Sequence, residues 1–139
     1  AIVKSLVKFT FKNLEEDSKF EFAPMAKNWE EDKSFYENLF NFTVENDDKY
    51  DSLIQENTKN WDKERITMMD KIIIKLALAE LENFPSIPIK VTINEFIDLS
   101  KQYSTPKSKT FVNGVLDRLS KKLVEEGKIK KTGRGLIDN

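Results

Sequence analysis

Residues 63–84 read KERITMMDKIIIKLALAELENF, and the pattern of this stretch predicts the architecture of the whole chain. Its polar side chains recur at helical spacing in a narrow stripe that Leu78 interrupts. The stripe comprises Thr67, Lys71, Lys75 and Glu82. Apolar side chains occupy most of the remaining circumference, so other helices must surround this one. We therefore predict a central helix over 63–84, introduced by Trp61 and ended by Pro85 and Pro88.

Amphipathic patterns on both sides of this stretch predict the surrounding helices. The predicted segments are a short helix over 1–13, an acidic connection over 14–31, helices over 32–45 and around 50–54, and helices over 91–103 and from 105 to about 126. Asp32 and Thr105 are the expected N-caps, with Pro106 at the first helical position and Gly127 at the end of the last helix. The prediction is an all-α protein, a compact bundle of about five to six helices around a central apolar helix.

The same patterns suggest three regions along the chain. Residues 1–31 form an N-terminal helix and acidic connection, or alternatively the end of a preceding region. Residues 32–126 form the helical domain, and residues 127–139 form a basic tail that we expect to be partly mobile.

The composition excludes several function classes. The 139 residues contain no histidine and no cysteine, which rules out a Ser-His-Asp triad, a histidine-based zinc site and a disulfide framework. No apolar run is long enough to cross a bilayer. We therefore predict no cofactor, no metal and no membrane partner. The lack of cysteine allows the reducing compartment that we expect for a cytoplasmic protein.

Charge is distributed unevenly along the chain. Residues 15–64 contain 15 acidic and 6 basic side chains, a net charge of -9, whereas residues 99–139 contain 10 basic and 4 acidic side chains, a net charge of +6. The C-terminal part therefore attracts phosphates and the earlier part repels them. An ordinary mixture of solvated faces is the alternative.

The loop and helix start within 105–114 form the best candidate for a binding site. Ser108, Thr110 and the amide groups of a first helical turn are suited to phosphate oxygens, and Lys107 and Lys109 add positive charge. Asn113 can contact a base edge or cap a neighbouring loop. Phe111 offers a stacking face for an unpaired base if it is exposed, and belongs to the core if it is not.

Three further positions are singled out by their residue type. Gly114 lies inside the predicted last helix, where glycine is unfavourable, so close helix packing or a ligand must compensate, and the pattern favours packing. Asp70 and Glu80 are ten residues apart on the central helix, about 15 Å, which is too far for a cooperating pair of carboxylates. They are candidates for contact with a basic protein partner.

Three blocks of sequence stand out together, DKIIIKLALAEL at 70–81, IPIKVTINE at 87–95 and FVNGVLD at 111–117. In this order they resemble the NusB family of transcription antitermination factors. The resemblance implies an all-α fold of two small bundles and a non-enzymatic role in binding boxA-type ribosomal RNA together with the ribosomal protein NusE. That complex would reach RNA polymerase indirectly.

By position, the resemblance places several residues on the two binding surfaces. The RNA-contacting edge would include Ser108, Lys109, Thr110, Phe111 and Asn113, and the NusE side would include Asp70. Lys107 joins the predicted RNA-binding residues because of its charge. The family begins with an arginine-rich helix that residues 1–13 do not match. We therefore expect the chain to be the C-terminal portion of a longer, divergent member. The alternatives are an accessory domain of a ribosomal RNA cytosine methyltransferase and a protein-interaction module without RNA binding.

Overall fold

The computed structural model describes residues 29–60 and 66–137, and within these ranges five α-helices form the fold. They are α1 (Trp29–Glu45), α2 (Asp47–Asn57), α3 (Met68–Asn83), α4 (Ile89–Tyr103) and α5 (Ser108–Glu125). A short 3-10 helix, Gly133–Leu136, follows. Because no strand occurs in the described ranges, the predicted all-α class is confirmed. The predicted helix over 1–13, most of the connection over 14–31 and Trp61 lie outside the described residues.

Helix α3 is the centre of the bundle, as its sequence predicted. It contacts all four other helices. Nine of its sixteen residues are buried, and those around the middle of the helix, Ile73, Ile74, Ala77, Leu78 and Ala79, have no exposed surface. Because other helices surround α3, its apolar surface is removed from water on all sides. This burial is the main stabilisation of the fold.

The start of α3 is defined by a reciprocal cap, which corrects the predicted start near residue 63. The Thr67 hydroxyl accepts the Asp70 N–H at 3.0 Å, and the Asp70 carboxylate accepts the Thr67 N–H at 3.2 Å. Thr67 therefore precedes the helix instead of lying on its polar stripe. The apolar periodicity of the sequence extends to residues that precede the N-cap. The apolar pattern alone therefore placed the start of this helix too early.

Three other helix starts differ from the prediction. α1 starts at Trp29 and includes Asp32 in its first turn, so Asp32 is not an N-cap. α4 starts at Ile89, because the Pro88 carbonyl accepts the N–H groups of the residues at 91 and 92. α5 starts at Ser108 after a turn closed by the Ser108 N–H and the Thr105 carbonyl, so Thr105 is not its N-cap.

Residues 128–137 of the basic tail are docked on the bundle, although the sequence predicted a partly mobile tail. After Gly127, which adopts a φ of +73° and ends α5, the chain turns back and Ile129 joins the core. We call residues 128–137 the C-terminal strap. Its Lys131 ammonium donates to the Phe84 carbonyl at 3.0 Å, and its Thr132 N–H donates to the Pro85 carbonyl at 3.1 Å. The strap therefore covers the connection between α3 and α4.

Candidate nucleic-acid interface

The turn into α5 presents a cluster of exposed polar side chains. We define the basic corner as Lys107, Lys109, Thr110 and Asn113, all of which are exposed. The last three lie within about one helical turn, while Lys107 is the residue that precedes the helix. The fold thus brings four of the six predicted RNA-binding residues together on one surface.

No carboxylate of the described residues neutralises the two lysines of the basic corner. In residues 29–60 and 66–137, neither Lys107 nor Lys109 forms a salt bridge. By contrast, Lys101 pairs with Asp98 at 3.5 Å, and Lys121 pairs with Asp117 at 3.1 Å. Positive charge at the start of a helix is unfavourable because the macrodipole is positive there. A bound anion would remove this unfavourable interaction.

Free backbone donors accompany these charges. The Ser108 N–H donates to the Thr105 carbonyl at 2.9 Å, and the Phe111 N–H donates to the Lys107 carbonyl at 3.3 Å. The N–H groups of Lys109 and Thr110 have no hydrogen-bond acceptor among the residues that the structure describes. Two amide donors and two ammonium groups therefore lie around the same helix start, the arrangement that binds phosphate oxygens in many proteins.

The remaining two predicted RNA-binding residues lie beneath this surface. Phe111 is 5 % exposed and belongs to the core, so the structure shows the buried alternative for its ring. A base cannot stack on this ring face without moving the helix. Ser108 is 2 % exposed, and its hydroxyl lies 2.6 Å from the Ser104 hydroxyl. These residues support the corner from within the protein.

Gly114 and Arg118 extend the exposed surface along α5. Gly114 is exposed, and the close packing or ligand that would compensate for a glycine inside the helix stays a prediction. It lies one turn after Thr110 and one turn before Arg118, on the same side of the helix. Arg118 is also exposed, and the sequence analysis did not single it out. Its four-residue spacing from Gly114 is the signal that identifies it.

Asp70 is fully buried at the start of α3, away from solvent. One carboxylate oxygen accepts the Thr67 N–H, and the other accepts the Ser104 hydroxyl at 2.6 Å. Both oxygens therefore have partners within this chain. Contact between Asp70 and a protein partner stays a prediction, and it would require these bonds to break.

Glu80 is also buried, with 1 % of its surface exposed, at the other end of α3. Thr92 donates its hydroxyl proton to Oε1 at 2.8 Å, whereas Oε2 has no hydrogen-bond partner in the described part of the chain. Burial raises the pKa of Glu80 to about 7, with a further contribution from repulsion by Glu95. The Thr92 hydrogen bond and the Lys131 charge oppose this rise. A contact between Glu80 and a partner likewise stays a prediction.

The described residues also bear on metal binding and on membrane insertion. No cluster of three or more histidine, cysteine, aspartate or glutamate side chains with metal-binding geometry occurs in residues 29–60 and 66–137. Among the helices described there, none is both long and apolar enough to span a bilayer.

Comparison with known proteins identifies the family. The NusB family model matches residues 1–121. The transcription antitermination protein NusB of Salinibacter ruber is 41 % identical over 105 residues, covering 76 % of this chain and 66 % of that protein. The protein of the same name from Chloroherpeton thalassium is 38 % identical over 106 residues, covering 76 % of this chain and 50 % of that protein. Both names describe antitermination proteins, not enzymes.

A solved structure agrees with these matches. The structure of T. maritima NusB has 32 % sequence identity and a TM-score of 0.56, and the match covers 86 % of this chain and 85 % of that one. The chain spans 66 % and 50 % of the lengths of the two curated relatives, so it corresponds to a part of each. On the family match and these identities, the chain belongs to the NusB family.

Proposed function

We propose that this chain binds boxA-type RNA together with the ribosomal protein NusE and thereby acts in transcription antitermination, reaching RNA polymerase indirectly. The observation that carries the RNA part is the basic corner. There, two exposed lysines and the N–H groups of Lys109 and Thr110 lie together, and none of them has a salt-bridge or hydrogen-bond partner within residues 29–60 and 66–137. The names of the relatives support the antitermination role.

Phosphate contacts would supply most of the affinity. Each lysine that neutralises a phosphate releases condensed counterions, which makes binding weaken as salt increases, with a slope of about 0.7 per contact for a single strand. Lys107 and Lys109 would provide two such contacts. The free N–H groups of Lys109 and Thr110 would bind the same phosphate oxygens at short range.

Selectivity for particular bases would come from Asn113. Its amide group carries both donors and acceptors and can form two hydrogen bonds with one base edge. Asn113 is exposed and is followed by the exposed Gly114, which has no side chain to hold a nucleotide away from the helix. Phe111 would hold α5 in place from below, instead of stacking on a base.

The NusE part of the proposal concerns α3. Asp70 and Glu80 lie near its two ends, and their buried carboxylates hold Thr67, Ser104 and Thr92. In this conformation they would shape a surface for NusE without touching it. Direct contact would require α4 or the C-terminal strap to move.

A titration with matched variants tests the RNA part. A boxA-type RNA oligonucleotide is titrated with the wild type, with Lys107→Ala/Lys109→Ala and with Lys101→Ala/Lys121→Ala, at several salt concentrations. We expect the first double variant to lower the salt slope by about 1.4. The second removes the same charge from lysines that already have carboxylate partners, so its slope should change less.

Two outcomes would contradict the proposal. One is a folded wild-type chain that does not bind this RNA either with or without NusE. The other is an equal loss of slope in both double variants, because that would indicate general charge attraction in place of a defined corner. A pull-down that recovers proteins and no RNA would favour the protein-interaction alternative.

A further inference from the structure

A cluster of hydroxyl groups joins the basic corner to the start of α3. The Ser104 hydroxyl donates to Asp70 Oδ1 at 2.6 Å, and its oxygen lies 2.6 Å from the Ser108 hydroxyl oxygen. The Ser108 oxygen lies 3.1 Å from that of Thr105. These side chains come from the end of α4, the turn that follows and the first residue of α5. They form a continuous chain from the protein interior to its surface.

The number of available protons fixes the direction of every hydrogen bond in this chain of hydroxyl groups. A serine or threonine hydroxyl has one proton to donate. Because Ser104 donates its proton to Asp70, Ser108 must be the donor to Ser104. Ser108 has then used its own proton, so Thr105 must be the donor to Ser108. Every proton in the chain points toward the Asp70 carboxylate.

This direction determines whether each hydroxyl group can donate a hydrogen bond to a ligand. Ser108 is buried and its proton is used inside the protein, so it cannot donate to a phosphate. Thr105 is exposed, but its proton points inward and only its lone pairs face solvent. A phosphate at the basic corner therefore meets ammonium and amide donors, with no hydroxyl donor from this chain of residues.

We propose that Asp70 and Ser104 are positioning residues for RNA binding, acting through Ser108 on the two lysines beside it. The inference rests on the proposed function. Ser108 lies between Lys107 and Lys109 in the sequence, so its buried hydroxyl holds the backbone from which both lysines extend. α5 has no side-chain cap of its own, so the hydroxyl chain takes that place and ties its first turn to α3.

The expected consequence is preorganisation. A corner whose backbone is already held loses less conformational freedom when RNA binds. Ser104→Ala cuts the link between Asp70 and Ser108 without removing any group that would touch RNA. We expect RNA affinity to fall about three- to tenfold, with the salt slope unchanged because the number of phosphate contacts is the same.

The experiment compares four full-length variants with the wild type. Ser104→Ala and Ser108→Ala interrupt the chain at successive links, and Ser104→Thr retains the hydroxyl and should restore affinity. Ser120→Ala is the matched control, because Ser120 is a buried serine on α5 whose hydroxyl bonds only to the Asp117 carbonyl in the described structure. The measurements are affinity for a boxA-type RNA oligonucleotide at several salt concentrations, and hydrogen exchange at the amides of Ser108 and Phe111.

The two measurements separate this inference from the proposed function. Faster exchange and weaker binding in both alanine variants, with wild-type behaviour in Ser104→Thr and Ser120→Ala, would support the positioning role. Unchanged exchange in Ser104→Ala and Ser108→Ala would overturn it. So would faster exchange with unchanged RNA affinity, or an affinity loss accompanied by a lower salt slope. A wild type that fails to bind RNA would contradict the proposed function, and hydrogen exchange would still test the hydroxyl chain.

Discussion

Replacing Glu80 with glutamine tests how a buried carboxyl on α3 controls the response of stability to pH. Glutamine has the same shape and keeps an oxygen that can accept the Thr92 hydroxyl proton, and it stays uncharged at every pH. The groups near Glu80 that affect its charge are Glu95 on α4, which repels it, and Lys131 on the C-terminal strap, which attracts it. Burial is the largest contribution and raises the pKa of Glu80 to about 7.

The sign and size of the effect follow from this pKa. Between the ordinary value of 4.5 and about 7, the folded protein holds a proton on Glu80 that the unfolded chain has released. The stabilisation that Glu80 contributes is therefore greatest at acidic pH, and it is lost as the pH rises through about 7. The whole rise in the pKa of Glu80 corresponds to about 3 kcal/mol of unfolding free energy. About 2 kcal/mol of this stabilisation should be lost between pH 5.5 and pH 8.

Urea denaturation of the wild type and Glu80→Gln at intervals from pH 5.5 to pH 8 measures this quantity. The difference in unfolding free energy between them should change by about 2 kcal/mol in favour of the variant as pH rises, because contributions from other groups cancel. Glu125→Gln, at an exposed position on α5, is the control and should follow the wild type. If the difference in unfolding free energy between wild type and Glu80→Gln stayed constant across this range, Glu80 would not have the raised pKa described above.

Three further substitutions test the packing and the caps. Phe111→Ala should lower the unfolding free energy by about 3–5 kcal/mol in urea denaturation because its ring is in the core, and a loss of RNA affinity without lost stability would contradict this. Gly135→Ala would place a methyl group in steric conflict with the Pro85 carbonyl oxygen, so hydrogen exchange at the Thr132 amide of the C-terminal strap should be faster. Leu136→Ala, at an exposed position, should leave this exchange unchanged. Thr67→Ala removes the cap of α3 and should cost about 1 kcal/mol by thermal denaturation, and an unchanged melting temperature would argue against the capping box.

Much of the architecture was predictable because helical periodicity is a local property. In α5, for example, the apolar residues that recur at helical spacing are all buried, namely Val112, Val115, Leu116, Leu119 and Leu123. The helix starts were less predictable. The Thr67 and Asp70 cap depends on two side chains three residues apart, and the α4 start depends on the Pro88 carbonyl, so neither is visible in a hydrophobic pattern.

The candidate site was predictable in location and less so in detail. The basic character of residues 105–114 and the exposure of Lys107, Lys109, Thr110 and Asn113 agree with their residue types. Arg118 was missed because it lies outside the motif, one turn beyond Gly114. The hydroxyl chain was missed because it joins residues as far apart as 70 and 104, and no local spacing signals such a contact.

Periodicity and composition are enough to establish the helical class, the central position of α3 and the absence of histidine and cysteine chemistry. The burial of Phe111 and Ser108, and the docking of the C-terminal strap over Phe84 and Pro85, are visible only in the folded chain. Periodicity shows which side of a helix is apolar, whereas burial depends on what covers each side. That covering comes from segments distant in the chain.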